Sequence, residues 1–491
     1  MKLAMYILGT LLLTGCGATY HIQTDALGND TSHQRHVVLF LDGTANNLDS
    51  ETNVAKLSHI VKNQSKPNLH VFYNEGVGTG YRLVGAGTGW GIRKDVVEAY
   101  AFLSGFYTPE SKLYIFGFSR GAYTSRILAG MIYSVGIYDL SSLPEQKRLE
   151  IAKKLYKIYK SENKKVCNSS SDRKESCVGD MAQDVINIRK EGTRIINRYG
   201  LQENIYPVHA EIDLLGLWDT VEAMGMVPSL QALSRKVLHQ EEDINVINPN
   251  HRYIDQVCNT KRVLHAISLD DNRQYVFTPI SIRSPYVVKR CSDARLENVK
   301  EVWFSGAHAD VGGGYKITEQ VEKGGTEYRD LSLSGVSLNW MIAEILADKG
   351  LRDLLPKNMA VPANALAFSH DAENGSILYD RSTRQQVMEK YCHHVYGVKL
   401  DKVGRAIAGD CAKENAFAVH SSVFQRLKAF GSVKGEDASS TGVFRDNGFD
   451  SRWYLSKPFE GCFESSGSGY EFKDCPQVRL VNDAKRLIDR D

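Results

Sequence analysis

The fold is decided by the stretch Lys112-Leu113-Tyr114-Ile115-Phe116-Gly117-Phe118-Ser119-Arg120-Gly121-Ala122. Its apolar first half predicts a short buried strand, and the run from Ala122 to Ile132 predicts a helix. A Gly-x-Ser-x-Gly pentapeptide between a strand and a helix is typical of a nucleophile elbow, the sharp turn that exposes a reactive serine. Gly117 and Gly121 provide the small neighbours that this turn needs. The pattern makes Ser119 a candidate nucleophile.

Strand-like and helix-like segments alternate on both sides of this stretch. Apolar strands are predicted at Val37–Leu41 and Leu69–Tyr73, and helices at Thr52–Gln64 and Ile92–Phe106. Such alternation predicts an α/β fold in which a mostly parallel sheet is flanked by helices, as in the α/β-hydrolases. The pattern resumes with strands at Ile212–Trp218 and Val302–Phe304 and a helix at Leu331–Leu351.

Composition divides the chain into five predicted parts. These are a signal peptide at residues 1–16, a polar tether at 17–35, a catalytic domain at 36–355, an insertion within that domain at 141–208, and a Cys-bearing C-terminal subdomain at 356–491. The insertion is helical and basic, with 14 Lys and Arg against 7 Asp and Glu between Lys147 and Arg198. We interpret it either as a cap over the active site, with a charge that suits an anionic head group or membrane surface, or as a solvated helical face.

The N-terminus has the features of an export signal. Lys2 precedes an apolar run, Leu3–Leu13, that is too short to span a bilayer as a helix. The run ends in Leu13-Thr14-Gly15-Cys16, which resembles the lipobox of bacterial lipoproteins. The resemblance implies cleavage before Cys16, lipidation of that cysteine and an anchor in the bacterial envelope, and Gly17 favours the outer membrane. An ordinary signal followed by a chance cysteine is the alternative.

The cysteine count agrees with export. The chain has 9 Cys, and removal of Cys16 leaves an even number. Sequential pairing predicts four disulfides, although many other pairings exist. Reduced, buried thiols are the alternative and would suit a cytosolic protein better. The predicted pairs are Cys167–Cys177, Cys258–Cys291, Cys392–Cys411 and Cys462–Cys475.

Composition also limits the class of function. The 491 residues are 42% hydrophobic, enough for a sizeable core, and the net charge of +2 gives no bulk attraction to nucleic acid. The sequence contains neither a Cys/His zinc pattern nor a phosphate-binding Gly-x-x-x-x-Gly-Lys loop. We therefore predict no metal, no other cofactor and no nucleic-acid partner.

Two residues are candidate partners of Ser119. A serine hydroxyl needs a base to take its proton, and the base needs a carboxylate to orient it. In α/β-hydrolases the acid and then the histidine follow the serine, each after a strand. Asp219 ends a predicted strand, and His308 follows another across a short glycine-containing loop, with Asp310 two residues further on.

Alternatives remain for both partners. The alternative role of Asp219 is to cap a following helix. His265 is the rival base, although its segment, Val263–Ile267, has the character of a helix interior, which favours a buried and satisfied histidine.

Backbone donors for an oxyanion are predicted in two places. One is the N–H of Arg120, the residue after the serine, and the other lies in the loop Asp42-Gly43-Thr44 after an early strand. Gly43 lets the backbone approach a substrate, Thr44 presents its N–H, and Asp42 orients the loop. A plain Asp-Gly turn is the alternative.

Six ordered motifs between about residues 36 and 350 resemble the type VI secretion phospholipase effector family and its α/β-hydrolase catalytic domain. The motifs are Leu39-Phe40-Leu41-Asp42-Gly43-Thr44, Gly76-Val77-Gly78-Thr79, Gly117-Phe118-Ser119-Arg120-Gly121-Ala122, Gly216-Leu217-Trp218-Asp219-Thr220-Val221, His265-Ala266-Ile267-Ser268-Leu269-Asp270-Asp271-Asn272-Arg273 and Gly306-Ala307-His308-Ala309-Asp310-Val311-Gly312-Gly313-Gly314-Tyr315.

The resemblance implies hydrolysis of lipid esters by a triad of Ser119, Asp219 and His308, and it favours His308 over His265. The chain departs from the family in its lipobox, which points to envelope or extracellular lipid as substrate, and in its C-terminal region. The expected function is a lipid-anchored serine esterase that acts on phospholipids. The alternatives are an esterase or thioesterase for a non-lipid acyl substrate, and a non-catalytic envelope lipoprotein on a hydrolase scaffold.

Overall fold

Short apolar strands form the centre of the molecule. The computed structural model describes residues 19–23, 34–44, 46–64, 66, 68–76, 90–168, 181–200, 210–221, 258–271, 282, 298–316, 318–322, 326–370, 417–430, 462–466, 469–473 and 478–483. The strands are β1 (Thr19–Gln23), β2 (His36–Leu41), β3 (Leu69–Asn74), β4 (Lys112–Phe118), β5 (Leu214–Trp218), β6 (Val263–Ser268), β7 (Val299–Phe304), β8 (Thr318–Glu322), β9 (Thr326–Asp330), β10 (Phe417–His420), β11 (Phe463–Ser466), β12 (Gly469–Phe472) and β13 (Val478–Val481).

In the described part of the chain, nine strands form one sheet in the order β1-β3-β2-β4-β5-β6-β7-β10-β13. β1 runs antiparallel to β3, and the other eight strands run parallel to one another. The predicted α/β fold with a mostly parallel sheet is therefore confirmed. β10 and β13 lie within residues 356–491, so the C-terminal part of the chain extends the sheet that the earlier strands begin.

Helices cover both faces of this sheet. Their bounds are α1 (Asn53–Lys62), α2 (Trp90–Phe106), α3 (Arg120–Val135), α4 (Glu145–Asn168), α5 (Met181–Asn197), α6 (His308–Gly312), α7 (Ser334–Ala347) and α8 (Ser421–Phe430). One core cluster joins α2, α3, α4 and α5 to the sheet, and a second joins α1 and α7 to the opposite face. β2 contributes to both, because Val37 and Leu39 face the first cluster and Val38 and Phe40 the second.

The predicted insertion at 141–208 is helical in its described residues, where it contains α4 and α5. α4 packs against α2, and α5 packs against α3. Tyr156 and Tyr159 of α4 are buried in the first core cluster. The segment that connects α4 to α5 lies outside the described residues, so the position of this insertion above Ser119 stays a prediction.

The N-terminal region differs in one respect from its predicted character. Residues 19–23, within the predicted tether, form β1 on the edge of the sheet. Edge pairing uses backbone N–H and C=O groups, which composition does not reveal. The predicted signal peptide and its Cys16 lie outside the described residues. Within the described ranges, none of the helices is both long and apolar enough to cross a bilayer.

Candidate active site

The turn at Ser119 joins the end of β4 to the start of α3. Ser119 has φ 57° and ψ −125°, a strained conformation for a residue with a side chain. The Ser119 N–H donates a hydrogen bond to the Trp218 carbonyl at 3.0 Å, which ties the turn to the end of the neighbouring strand β5. The local geometry is that of a nucleophile elbow, as the sequence predicts.

Three side chains meet at this turn. His308 Nε2 lies 2.7 Å from Ser119 Oγ, and His308 Nδ1 lies 2.6 Å from Asp219 Oδ2. Ser119, Asp219 and His308 are all buried, and Asp219 is fully enclosed. A serine, a histidine and a carboxylate in this order form a relay that can remove the serine proton and stabilise the resulting imidazolium.

The Asp219 carboxylate is held by a residue that sequence reasoning missed. Ser268, the last residue of β6, donates its N–H to Asp219 Oδ1 at 2.9 Å and its hydroxyl to Asp219 Oδ2 at 3.0 Å. Both oxygens are therefore fixed, with Oδ2 turned toward His308. The only sequence signal for Ser268 is its place in the motif that begins at His265.

The Ser268→Ala variant is expected to lower kcat about 10-fold and to leave KM within about two-fold. The change removes the hydroxyl donor to a buried carboxylate and keeps the N–H donor, and a hydrogen bond to a charged group contributes about 1.5–3 kcal/mol. Steady-state kinetics on a fluorogenic ester measure the effect. Ser305→Ala is the matched control, because Ser305 is a buried serine at the end of β7 whose Oγ makes no hydrogen bond within the described residues. Equal kinetics for the two variants would contradict the role of Ser268.

His265 has a structural position away from Ser119. Thr220 donates its N–H to His265 Nε2 at 3.2 Å, so Nδ1 carries the proton and donates to Glu301 Oε1 at 3.0 Å. The ring thereby holds the backbone that follows Asp219. The helix interior predicted for Val263–Ile267 is wrong: these residues form β6. Periodicity does not separate a short buried strand from a buried helix segment.

The loop that carries His308 is clamped by three carboxylates. Gly306 donates its N–H to Asp270 Oδ2 at 2.5 Å, Ala307 donates to Asp310 Oδ2 at 3.0 Å, and His308 donates to Asp271 Oδ2 at 3.1 Å. The His308 ring also packs against the Phe118 ring, with centroids 4.7 Å apart. We call residues 305–308 the His308 loop.

The segment Asp42-Gly43-Thr44, here called the oxyanion loop, lies beside Ser119. A Cβ added to Gly43 would lie 3.1 Å from Ser119 Cβ, so the backbone passes close to the serine. The Gly43 N–H donates to Asp42 Oδ1 at 2.7 Å, which makes Asp42 the residue that orients the loop. The Thr44 N–H is the backbone donor that the sequence assigns to an oxyanion, and that role stays a prediction.

Comparison with known proteins identifies a family whose members this chain resembles. The family described as "T6SS, Phospholipase effector Tle1-like, catalytic domain" matches residues 35–344, more than half of the chain. The chain belongs to this family. The resemblance predicted from the six motifs is confirmed, and residues 35–344 form a Tle1-like phospholipase catalytic domain.

One curated relative and two solved structures are also similar. The uncharacterized protein YEL023C of Saccharomyces cerevisiae is 25% identical over 310 residues, which cover 58% of this chain and 38% of the yeast protein. The chain thus spans well under two thirds of that relative. Acyl-protein thioesterase 2 of Zea mays is 12% identical, with a TM-score of 0.25, over 60% of this chain and 92% of that one. Smu.1393c of Streptococcus mutans is 14% identical, with a TM-score of 0.18, over 51% and 88%.

Asp42 is a buried residue of the Tle1-like domain, and its carboxylate accepts three hydrogen bonds. Besides the Gly43 N–H, its carboxylate accepts hydrogen bonds from Thr52 Oγ1 at 2.6 Å and from the Tyr73 hydroxyl at 2.5 Å, both on Oδ2. Burial raises the pKa of Asp42 to about 6, against the lowering effect of these three donors. In the unfolded chain the carboxyl ionises near pH 4.

The pKa of Asp42 predicts a pH dependence of stability. Between about pH 4 and pH 6 the folded protein holds a proton that the unfolded chain has lost, so the free energy of unfolding falls as pH rises. The rise in the pKa of Asp42 corresponds to a change of about 3 kcal/mol in the free energy of unfolding. Asp42→Asn is expected to flatten this part of the stability profile, measured by urea unfolding across that range. The exposed Asp139→Asn variant is the control, and profiles that stay parallel for wild type and Asp42→Asn would refute the prediction.

Arg120, the other predicted oxyanion residue, is the first residue of α3. Its N–H therefore lies in the first helical turn, where backbone donors lack acceptors within the helix. Its side chain is buried, and burial lowers the pKa of the guanidinium while Asp95 raises it. Burial and the nearby Glu98 in turn raise the pKa of Asp95 to about 7. The Arg120 guanidinium and the Asp95 carboxyl thus interact electrostatically.

Proposed function

We propose that the chain is a serine esterase that hydrolyses the carboxylic esters of phospholipids at the bacterial envelope. The observation that carries the proposal is the relay from Asp219 Oδ2 through His308 to Ser119 Oγ, with contacts of 2.6 Å and 2.7 Å. Membership of a phospholipase effector family supports a lipid ester as the substrate.

The reaction follows from the roles of the three side chains. Ser119 Oγ attacks the ester carbonyl as its proton passes to His308 Nε2, and Asp219 stabilises the imidazolium. The oxyanion of the tetrahedral intermediate binds the N–H groups of Arg120 and Thr44. Collapse breaks the ester bond, and the alcohol leaves with the proton from Nε2. Water then attacks the acyl-serine by the same route and releases the fatty acid. Within the described residues, no three His, Cys, Asp or Glu side chains converge as metal ligands, and this route needs none.

The experiment is acyl release from phospholipid vesicles by the soluble form that begins at residue 17. Mass spectrometry of the products identifies the bond cleaved, and a fluorophosphonate probe with peptide mapping identifies the nucleophile. We expect free fatty acid and a label on Ser119, and neither in Ser119→Ala. Ser141→Ala, at an exposed serine outside the site, is the matched control. Turnover that survives in Ser119→Ala would rule out the mechanism. Turnover of short soluble esters without any vesicle activity would instead favour a non-lipid acyl substrate.

The location of the enzyme is a separate part of the proposal. The lipobox that ends at Cys16 supports cleavage there and anchoring through acyl chains, each buried methylene of which contributes about 0.8 kcal/mol to membrane binding. Cys16→Ser is expected to move the protein from the membrane fraction to the soluble fraction. An unchanged distribution would contradict the lipid anchor.

The four predicted disulfides belong to the same proposal of export. Cys258 and Cys462 lie in the described residues, whereas their predicted partners Cys291 and Cys475 lie outside them. Peptide mapping without reduction tests the pairing, and a fully reduced protein isolated from the envelope would contradict it.

A further inference from the structure

Asp310, one of the three carboxylates that bind the His308 loop, also binds a distant part of the chain. Its Oδ2 accepts the Ala307 N–H at 3.0 Å and the His370 N–H at 2.8 Å, with the Ser369 hydroxyl at 3.4 Å. Its Oδ1 lies 2.6 Å from His370 Nδ1. Oδ2 of this buried carboxylate is thus shared between the His308 loop and residues 369–370, and Oδ1 contacts the His370 ring.

The His370 ring is fixed from two further sides. It stacks on the Tyr315 ring with centroids 3.7 Å apart and planes 16° apart, and the Phe368 ring meets it edge-on at 4.9 Å. Tyr315 follows the helix α6 that His308 begins. The His370 imidazole therefore contacts the polypeptide that follows the candidate base at two places, Asp310 and Tyr315.

The segment around His370 is itself anchored by the C-terminal helix α8. Arg426 is fully buried, and its Nη1 donates to the Ala365 carbonyl at 2.8 Å and to the Ala367 carbonyl at 2.7 Å. Phe368 donates its N–H to the Asp330 carbonyl at 2.9 Å. These anchors lie mostly beyond residue 344, where the match to the Tle1-like catalytic domain ends.

We infer that Asp310 and His370 form a positioning pair through which the C-terminal region holds His308 in line with Ser119. This inference rests on the proposed function, since it assigns His308 the role of the base. Asp310 binds the N–H of Ala307, the residue before His308, and His370 in turn binds Asp310. The chain beyond the Tle1-like match thus completes the site without contacting the reacting atoms.

Two substitutions of His370 separate hydrogen bonding from packing. His370→Phe keeps a planar ring that can stack on Tyr315 but removes the N–H donor to Asp310. His370→Asn keeps an N–H donor near the position of Nδ1 but removes the ring. A positioning role through Asp310 requires the Asn variant to stay active and the Phe variant to fail, whereas a role in packing alone requires the reverse.

The first measurement is kinetic, on the full-length protein. His370→Phe is expected to lower kcat about 10-fold with KM within about two-fold, and to slow fluorophosphonate labelling of Ser119 by the same factor. His370→Asn is expected to stay within about three-fold of wild type in both. The reverse order, equal loss in both variants, or wild-type rates in both would each overturn the inference.

The second measurement does not depend on catalysis. Hydrogen exchange in the peptide that spans residues 305–313 is expected to accelerate about 10-fold in His370→Phe and to stay close to wild type in His370→Asn. Peptides from α1 serve as the internal reference. If the wild type neither hydrolyses esters nor takes the probe, the proposed function fails, and exchange alone decides the inference. Unchanged exchange in His370→Phe would overturn it.

Discussion

The Asp219→Asn variant is expected to keep its fold and to lose about 10³- to 10⁴-fold in kcat. The reason lies in the hydrogen bonds that Ser268 and His308 make to the carboxylate. Ser268 donates its N–H to Oδ1, so an amide at this position keeps its oxygen there and places its NH₂ group where Oδ2 accepts from His308 Nδ1. The imidazole must then accept at Nδ1 and carry its proton on Nε2. An Nε2 that carries a proton cannot take the proton of Ser119.

Kinetics and labelling test this expectation together. Ester turnover and the fluorophosphonate labelling rate of Ser119 should fall in parallel, while the thermal unfolding midpoint changes little. Asp139→Asn, at an exposed carboxylate outside the site, controls for the loss of a charge. A variant that retains more than about a tenth of wild-type kcat would show that Asp219 does not set the tautomer of His308.

Gly121→Ala is expected to lower the free energy of unfolding by about 3 kcal/mol and to abolish turnover. A Cβ at this position would lie 2.0 Å from the Leu41 carbonyl oxygen and 2.5 Å from the Asp42 carbonyl oxygen. Both obstacles are backbone atoms at the end of β2, which a rotamer change cannot move. Overpacking against such atoms typically costs about 1–3 kcal/mol. Relief requires α3 to move away from β2, which separates Ser119 from the oxyanion loop.

Urea unfolding and ester turnover are the measurements for this variant. Gly350→Ala is the control, because the nearest atom to an added Cβ there is Asp348 Oδ1 at 3.3 Å. Wild-type stability in Gly121→Ala would mean that the close approach of α3 to β2 is not required for the fold.

The sequence predicts the parts of the site that local pattern determines. The elbow at Ser119 is a strand, a glycine-flanked serine and a helix in immediate succession, so its geometry follows from neighbours in the chain. Asp219 and His308 lie at the carboxyl ends of strands, and a parallel sheet brings such ends to one edge. The structure places these three side chains together as the pattern indicates.

Local pattern does not predict residues whose contacts join distant parts of the chain. Ser268 ends β6 and Asp271 follows it, and the pattern assigns this strand to a helix, because a short apolar run has no distinguishing period. His370 lies in a segment without any motif, and its contact with Asp310 depends on how residues 361–370 bind Asp330 and Arg426. The strand at Thr19–Gln23 is also not predicted from the sequence, since its pairing with β3 uses backbone groups.

The last strands of the main sheet along the chain, β10 and β13, affect how the chain folds. Val419 of β10 pairs with Trp303 of β7, and β10 pairs in turn with β13 near the C-terminus. Parallel pairings between segments so far apart raise the contact order and slow folding, because a long loop must close before the pairing stabilises it. Until the last strands are synthesised, β7 remains an open edge able to pair with other chains. Truncated or unfinished chains are therefore the species most exposed to aggregation and proteolysis.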